Sequence, residues 1–191
     1  MTPIQPNISG TVSERILLAA DRLFYSKGIQ AVGVDELASA AAISKRTLYK
    51  HYPSKNDLII AYLLRRASRS VVSDGPPLDQ ILNIFDALEQ AFRQRSFRGC
   101  PFVNAAAELG GDRVHPVVAV VKSIKLGRHA WFEDRLRALG AADPSVLACQ
   151  MMLLVEGAIT TSMVRGSDSQ AAVAAKQAAR LLLKAGGIKL D

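Results

Sequence analysis

Residues Ser44 to Lys55 read SKRTLYKHYPSK and carry the strongest structural signal in the chain. Ser44 is a favourable N-cap for a short helix over residues 45–50, because its hydroxyl can accept a hydrogen bond from a free backbone N–H group. Pro53 ends that helix, since proline disfavours helical backbone in the residue before it. The stretch carries four lysines or arginines and no acid. It therefore predicts a short, exposed, basic helix in which Leu48 points inward.

Further helices are predicted on both sides of this stretch. Apolar residues at helical spacing indicate a first helix that Ser13 caps and Gly28 ends. A second helix spans residues 34–41, with acidic residues in its first turn, where the helix dipole favours them. Ser54 caps a fourth helix, and Asp57 completes an acidic form of the capping box. Such short, closely joined helices predict a helix-turn-helix, whose last helix fits a DNA major groove about 12 Å wide.

The remainder of the chain also predicts helices, and no alternating strand pattern interrupts them. The fold class is therefore all-α: an N-terminal three-helix helix-turn-helix domain and a larger helical domain, with about nine helices in all. The predicted domains are a flexible arm over residues 1–11, the helix-turn-helix domain over 12–56 and the larger helical domain over 57–191.

Composition narrows the class of protein. The chain has 191 residues and a formal charge of +7, which favours a nucleic-acid or acidic partner. Two cysteines are too few for a disulfide scaffold, residues 1–10 do not read as a signal peptide, and the apolar run 151–155 is too short to span a bilayer. We therefore expect a cytoplasmic protein without membrane contact.

Residues 38–55, ASAAAISKRTLYKHYPSK, resemble the signature of the tetracycline-repressor (TetR) family, and residues 16–28 resemble the first helix of that family. The resemblance covers residues 12–65. Two positions depart from the family pattern. Gly33 stands where the family often has a capping threonine, so this residue offers no hydroxyl to a phosphate. Ala42 stands where the family usually has glycine in the turn, and a positive φ there costs on the order of 1 kcal/mol.

The resemblance implies a DNA-binding residue set. Lys45, Arg46 and Thr47 match the base-reading positions, and Arg46 suits a bidentate contact with guanine. Tyr49, His51 and Lys55 match phosphate ligands, and Lys50 adds an exposed charge. Phosphate contacts set the register on DNA, whereas base contacts set the sequence preference.

The resemblance also implies that residues 57–191 form a ligand-binding and dimerisation domain. It implies a homodimer that reads two half-sites of a palindromic operator, about 34–36 Å apart. The helices over 144–164 and 169–185 are predicted to pair with their symmetry mates through small residues such as Gly157 and Ala174. An unknown small-molecule effector is expected to release the repressor from double-stranded DNA. The candidate effector-binding residues are apolar, with a few polar groups: Phe85, Leu88, Phe102, Asn104, Glu108, Trp131, Phe132, Met151, Met152, Glu156 and Thr160.

Two residues leave alternatives open. Glu156 lies in an apolar helix and needs a partner, either an effector or a structural arginine such as Arg165 or Arg128. Cys100, between Gly99 and a proline, is a candidate redox- or electrophile-sensing thiol, and its alternative role is that of a small buried hydrophobe.

Other function classes fit the sequence less well than a DNA-binding regulator does. The three histidines and two cysteines show no metal-ligand spacing, and no nucleophile elbow or phosphate-binding loop is present in the sequence. We therefore expect no enzymatic activity, no metal and no cofactor. A sequence-indifferent DNA-coating protein is also disfavoured, because its basic charge would be spread along the whole chain.

Overall fold

The computed structural model describes residues 10–69, 74–111, 114–166 and 168–190, and all regular structure in these residues is helical. The predicted all-α fold is thus confirmed. The helices are α1 Val12–Lys27, α2 Val34–Ala40, α3 Lys45–His51, α4 Lys55–Arg69, α5 Pro77–Phe92, α6 Pro101–Leu109, α7 Pro116–Ala138, α8 Pro144–Arg165 and α9 Gln170–Ala185. The predicted arm over residues 1–11 lies almost wholly outside the described residues.

The start of α1 differs from the prediction. Thr11, and not Ser13, is the N-cap, and it forms a complete capping box with Glu14. The Thr11 hydroxyl accepts from the Glu14 backbone N–H group at 3.2 Å, and the Glu14 carboxylate accepts from the Thr11 backbone N–H group at 3.0 Å. The prediction of Ser13 was wrong because a serine cap satisfies one free backbone donor, whereas the reciprocal threonine–glutamate pair satisfies two.

The described residues form two compact units. The first comprises residues 10–69, 101–111 and 114–121, and the second comprises residues 74–100, 122–166 and 168–190. In the first unit α1 packs against α2 and α4, and α2 packs against α3. These compact units do not follow the predicted boundary between residues 56 and 57, because α4 and α6 cluster with the first three helices. The functional division drawn from the sequence stays a prediction.

Arg66 fastens α4 to α1 in the first unit. Its guanidinium donates to both carboxylate oxygens of Asp21, at 2.6 and 3.1 Å, and lies 4.2 Å above the Tyr25 ring. Burial by itself lowers the pKa of Arg66. The Asp21 hydrogen bond and the charges of Tyr62, Asp21 and Tyr25 raise it by more, so the pKa lies above its ordinary value. This pair therefore links α4 to α1.

The second unit is built around one apolar core from α5, α7, α8 and α9. Phe85, Phe132 and Met151 are fully buried there. Lys176 on α9 donates to both carboxylate oxygens of Asp86 on α5, at 2.6 and 2.7 Å. An ion pair between α9 and α5 therefore stabilises this unit in addition to its apolar packing.

The helix α8 keeps several large apolar side chains in solvent. Leu153 is 67% exposed and Val164 is 77% exposed, and Leu181 on α9 is 71% exposed. By length and composition alone α8 is apolar enough to cross a membrane, with a third of its most apolar window buried. The apolar run is thus longer than residues 151–155, and part of it is exposed to solvent.

Candidate nucleic-acid interface

A capped N-terminus and a single buried side chain position α3. The Ser44 hydroxyl accepts from the Thr47 backbone N–H group at 3.0 Å and lies 2.8 Å from the Thr47 hydroxyl. The predicted cap is thereby confirmed. Leu48 is 1% exposed and is the one buried residue of α3. Leu48 is thus the one buried anchor of α3, and five of the other six residues of this helix are exposed.

The turn between α2 and α3 has a strained residue. Ala42 has a φ of +52° and is the one non-glycine residue with positive φ in the described part of the chain. Its backbone N–H group donates to Ser39 at 3.0 Å, and the next N–H group donates to Ala38 at 3.0 Å. These hydrogen bonds fix the turn despite a cost on the order of 1–2 kcal/mol for a left-handed alanine.

The other end of α3 is tied back to α1. The Tyr52 backbone N–H group donates to the Leu48 carbonyl at 2.9 Å, which closes the helix. The Tyr52 hydroxyl lies 3.0 Å from the Ser13 hydroxyl. Ser13, predicted as a cap, therefore helps to set the orientation of α3.

The predicted base-reading cations lie on the solvent face of α3, but their environments differ. Lys45 and Arg46 are both exposed. The Lys45 ammonium lies 3.1 Å from a carboxylate oxygen of Asp35 on α2, whereas Arg46 has no ion pair with another described residue. The Arg46 side chain is thus more available than that of Lys45 to an external partner.

The predicted phosphate ligands separate into exposed and half-buried groups. Tyr49, Lys50 and His51 are exposed on α3, while Thr47 is half-buried beside its cap. Lys55 is half-buried at the first position of α4. Burial lowers the pKa of Lys55, and the charge of Glu108 opposes that shift only in part. The exposed cations therefore come from α3 and not from the start of α4.

The candidate effector residues do not gather in one place. Phe102, Asn104 and Glu108 belong to the first unit, and the others belong to the second. In the second unit Phe85, Phe132 and Met151 are core residues, Thr160 is exposed, and the rest of the apolar set is half-buried against the core: Leu88, Trp131 and Met152. A shared effector site for this set stays a prediction.

Glu108 has a structural partner that the sequence did not suggest. Its carboxylate accepts from the Gln30 backbone N–H group at 2.9 Å, and the Gln30 side-chain amide donates to the Glu108 carbonyl. The contact joins α6 to the loop after α1, 78 residues away in sequence. Spacing on α6 alone could not show this role.

Glu156 pairs with Lys125, and not with either arginine considered from the sequence. The Lys125 ammonium donates to Glu156 and lies 3.5 Å from the Cys100 sulfur. Arg165 pairs instead with Asp168 at 3.3 Å, because both lie close to the end of α8. Cys100 is buried, and both cysteines are free thiols.

Arg128, which the sequence suggested as a structural partner of Glu156, belongs to the same group of residues. It is half-buried on α7, one turn after Lys125, and makes no hydrogen bond or ion pair with another described residue. Burial lowers the pKa of Arg128, while Cys100 and Glu156 shift it in the opposite direction.

Comparison with known proteins connects the first unit to regulators of transcription. The family model for bacterial regulatory proteins of the tetR family matches residues 16–62, which span α1 to α4. The HTH-type transcriptional activator FasR of Mycolicibacterium smegmatis is 40% identical over 57 residues. That match covers 30% of this chain and 26% of FasR, so the chain spans about a quarter of this relative.

Solved structures extend the similarity to nearly the full chain. A TetR-type transcriptional regulator from Streptomyces avermitilis superimposes with a TM-score of 0.81 at 31% identity, covering 94% of this chain and all of the other. A TetR-family regulator from Streptomyces coelicolor has a TM-score of 0.80 at 26% identity, covering 92% and 95% of the two chains. Both units therefore have counterparts in solved regulators.

Proposed function

The chain belongs to the TetR family of bacterial DNA-binding regulators, and from that premise we propose a homodimeric repressor that a small molecule releases from a palindromic operator. One observation carries the DNA-binding part of the proposal. A seven-residue helix, α3, is held by one buried leucine and turns its cations and a tyrosine to solvent. A helix of this length and charge fits the major groove of DNA.

Arg46 is the residue best suited to read a base. Its guanidinium has two parallel donors that match the O6 and N7 acceptors of guanine. No described carboxylate competes for it, in contrast to Lys45, which must leave Asp35 to reach DNA. We assign sequence preference chiefly to Arg46, and phosphate contacts to Tyr49, Lys50 and His51.

A second copy of the chain is the partner that suits α8 and α9. A shallow groove between these helices is lined mostly by small and apolar residues, including the predicted Gly157 and Ala174, and its polar lining comes from Thr161, Arg165 and Gln170. Leu153 lines the groove and stays largely exposed, as does Leu181 nearby on α9. Burying these side chains stabilises an association by about 25 cal/mol per Å² of apolar area. Leu147 on α8, by contrast, is buried in the core of its own unit and adds no exposed apolar area.

DNA binding is tested by selecting duplexes from a random pool with the full chain and measuring affinity by fluorescence anisotropy. We expect an inverted repeat to be enriched and bound at least a thousand-fold more tightly than scrambled DNA, as is usual for specific sites. Equal affinity for every duplex would leave only the DNA-coating alternative. Transcription from a promoter that carries the selected site then separates a repressor from an activator, the role that the name of FasR describes.

Dimerisation is tested by analytical ultracentrifugation at micromolar protein. We expect a dimer for the wild type and a shift toward monomer for Leu153→Glu, because the substitution places a charge in the apolar groove. Leu126→Glu is the matched control, since Leu126 is also exposed (61%) but lies on α7. A wild-type monomer would contradict the proposal. A cytoplasmic location without enzymatic activity is consistent with this function.

Thiol sensing through Cys100 is a second candidate mode of release. The favouring observation is the ammonium of Lys125, 3.5 Å from the sulfur. Peroxide would convert the thiol to a sulfenic acid and release water. A Cys100→Ser variant that still leaves DNA on peroxide treatment would remove this candidate, and Cys149→Ser is the control for the exposed thiol.

A further inference from the structure

Two cations of the second unit are poorly balanced by the acid beside them. We call Cys100, Lys125, Arg128 and Glu156 the α7 cluster; its members come from the residue before α6, from α7 and from α8. Lys125 and Glu156 form an ion pair whose two side chains are 26% and 30% exposed. That pair is neutral and the thiol adds no positive charge, so Arg128 leaves the cluster with an excess of one positive charge.

Arg128 is the unsatisfied member. A guanidinium has five N–H donors and keeps its charge in proteins. The side chain is half-buried, yet no described residue accepts a hydrogen bond from it or pairs with it. The partial burial of an unpaired charge is costly, and proteins usually offset that cost with a paired or hydrogen-bonded partner. A missing anion is the simplest partner for this geometry.

A second polar group without a partner lies one helical turn further along α7. The indole Nε1 of Trp131 is buried and has no hydrogen-bond partner among the described residues. Residues 128 and 131 share a side of the helix because they are three positions apart. Arg135 stacks on the Trp131 ring at 4.3 Å, but its Nε donates to Gln80 at 3.0 Å, so Arg135 is satisfied. Arg128 and Trp131 are thus neighbouring donors that lack acceptors.

We propose that the α7 cluster binds the anionic end of the effector, and that the effector is a small organic carboxylate held by Arg128. The inference rests on the proposed function, which supplies an effector, and goes further by naming its chemical class. A carboxylate accepts two parallel hydrogen bonds from a guanidinium, a geometry that a halide does not match. A single negative charge also balances the excess charge of the cluster. Neutral and cationic effectors leave Arg128 unpaired.

The test uses Trp131, the one tryptophan of the chain, as a fluorescent reporter beside the site. The full chain is titrated with benzoate and hexanoate, and in parallel with benzamide and hexanamide at constant ionic strength. We expect a saturable change in emission with at least one carboxylate, and at least ten-fold weaker binding of its amide. Sodium chloride and inorganic phosphate at the same ionic strength are expected to leave the emission unchanged.

The variants identify the residue responsible. Arg128→Gln is expected to weaken carboxylate binding at least ten-fold, and Arg128→Lys to give an intermediate loss because it keeps the charge without the fork. Lys122→Gln is the matched control, since Lys122 is an exposed cation on the same helix, and binding should stay within two-fold of wild type. Melting temperatures give a second readout: the carboxylate should stabilise the wild type but not Arg128→Gln.

The outcomes separate this inference from the proposed function. If the protein binds a selected operator, but no carboxylate up to millimolar concentration binds better than its amide, the carboxylate assignment is wrong and the regulator remains. An equal loss in Lys122→Gln, or an equal response to phosphate, also overturns the assignment. If carboxylates bind through Arg128 and no duplex is retained at low salt, the proposed function fails instead.

Discussion

The cations of α3 and those of the α7 cluster are the same residue types in opposite surroundings. On α3, Arg46 and Lys50 are exposed to solvent and form no ion pair with another described residue. On α7, Lys125 and Arg128 are half-buried beside a thiol and a single carboxylate. Burial, rather than residue type, therefore decides which anion a lysine or arginine can select.

Each setting has its own energetics. Exposed ion pairs contribute about 0–1 kcal/mol each and are screened by salt, so exposed cations bind best to a polyanion that engages several at once. Half-buried charges interact through a lower effective dielectric and are screened less. The α3 surface therefore suits DNA, and the α7 cluster suits one small anion. Four substitutions, ordered by expected effect, test or sharpen this contrast.

The largest effect is expected for Leu48→Ala, which removes the anchor that holds the α3 cations outward. Leu48 is 1% exposed, and truncating a buried leucine costs about 2–5 kcal/mol of stability. Urea unfolding followed by circular dichroism measures the loss. Lys50→Gln, at an exposed position of the same helix, should change stability by less than about 0.5 kcal/mol. If Leu48→Ala were as stable as wild type, α3 would not depend on this anchor.

Arg46→Ala is expected to cost about 1–3 kcal/mol of DNA-binding free energy and to relax the preference at one base pair. Anisotropy titrations with the selected operator and its single-base variants measure both effects. Lys45→Ala should cost less, because Lys45 gives up its ion pair with Asp35 on binding. An equal loss on every duplex would instead place Arg46 on a phosphate.

Lys50→Gln is expected to weaken binding to all duplexes and to lower the slope of log K against log salt by about 1 for each copy that contacts DNA. The slope is measured over a series of potassium chloride concentrations. Carboxylate binding to the wild type should depend far less on salt, since the α7 cluster is half-buried. Equal salt dependences for DNA binding and carboxylate binding would contradict the proposed difference between the two sites.

The sequence predicted those parts of the molecule that local rules control. Ser44 and Ser54 cap α3 and α4 as expected, because a cap depends on a hydroxyl and an N–H group three residues away. The buried residues of α4 also follow from helical spacing. The exposed face of α3 followed in the same way, since one leucine among charged residues leaves little choice of orientation.

Contacts between distant segments could not be predicted in this way. Glu108 was considered an effector ligand, yet it binds the backbone at Gln30. Glu156 pairs with a lysine 31 positions away, and not with either arginine considered. An ion pair between two helices depends on their packing and rotation, and a single sequence shows neither. The candidate site on α7 could therefore be recognised only from the arrangement of α7 and α8 in the structure.

The smallest effect is expected in the turn that aims the α3 cations. A left-handed alanine costs about 1–2 kcal/mol, while a glycine costs about 0.4–1 kcal/mol more than alanine through the freedom of the unfolded chain. Because Ala42 has a φ of +52°, the first term is the larger, and Ala42→Gly should stabilise the protein by about 0.5 kcal/mol. Ala40→Gly, in the last turn of α2, has no such strain to relieve and should lower the urea midpoint instead. Opposite signs for these two variants would show that the turn preceding α3 stores backbone strain, whereas equal losses would show that the hydrogen bonds of the turn already relieve it.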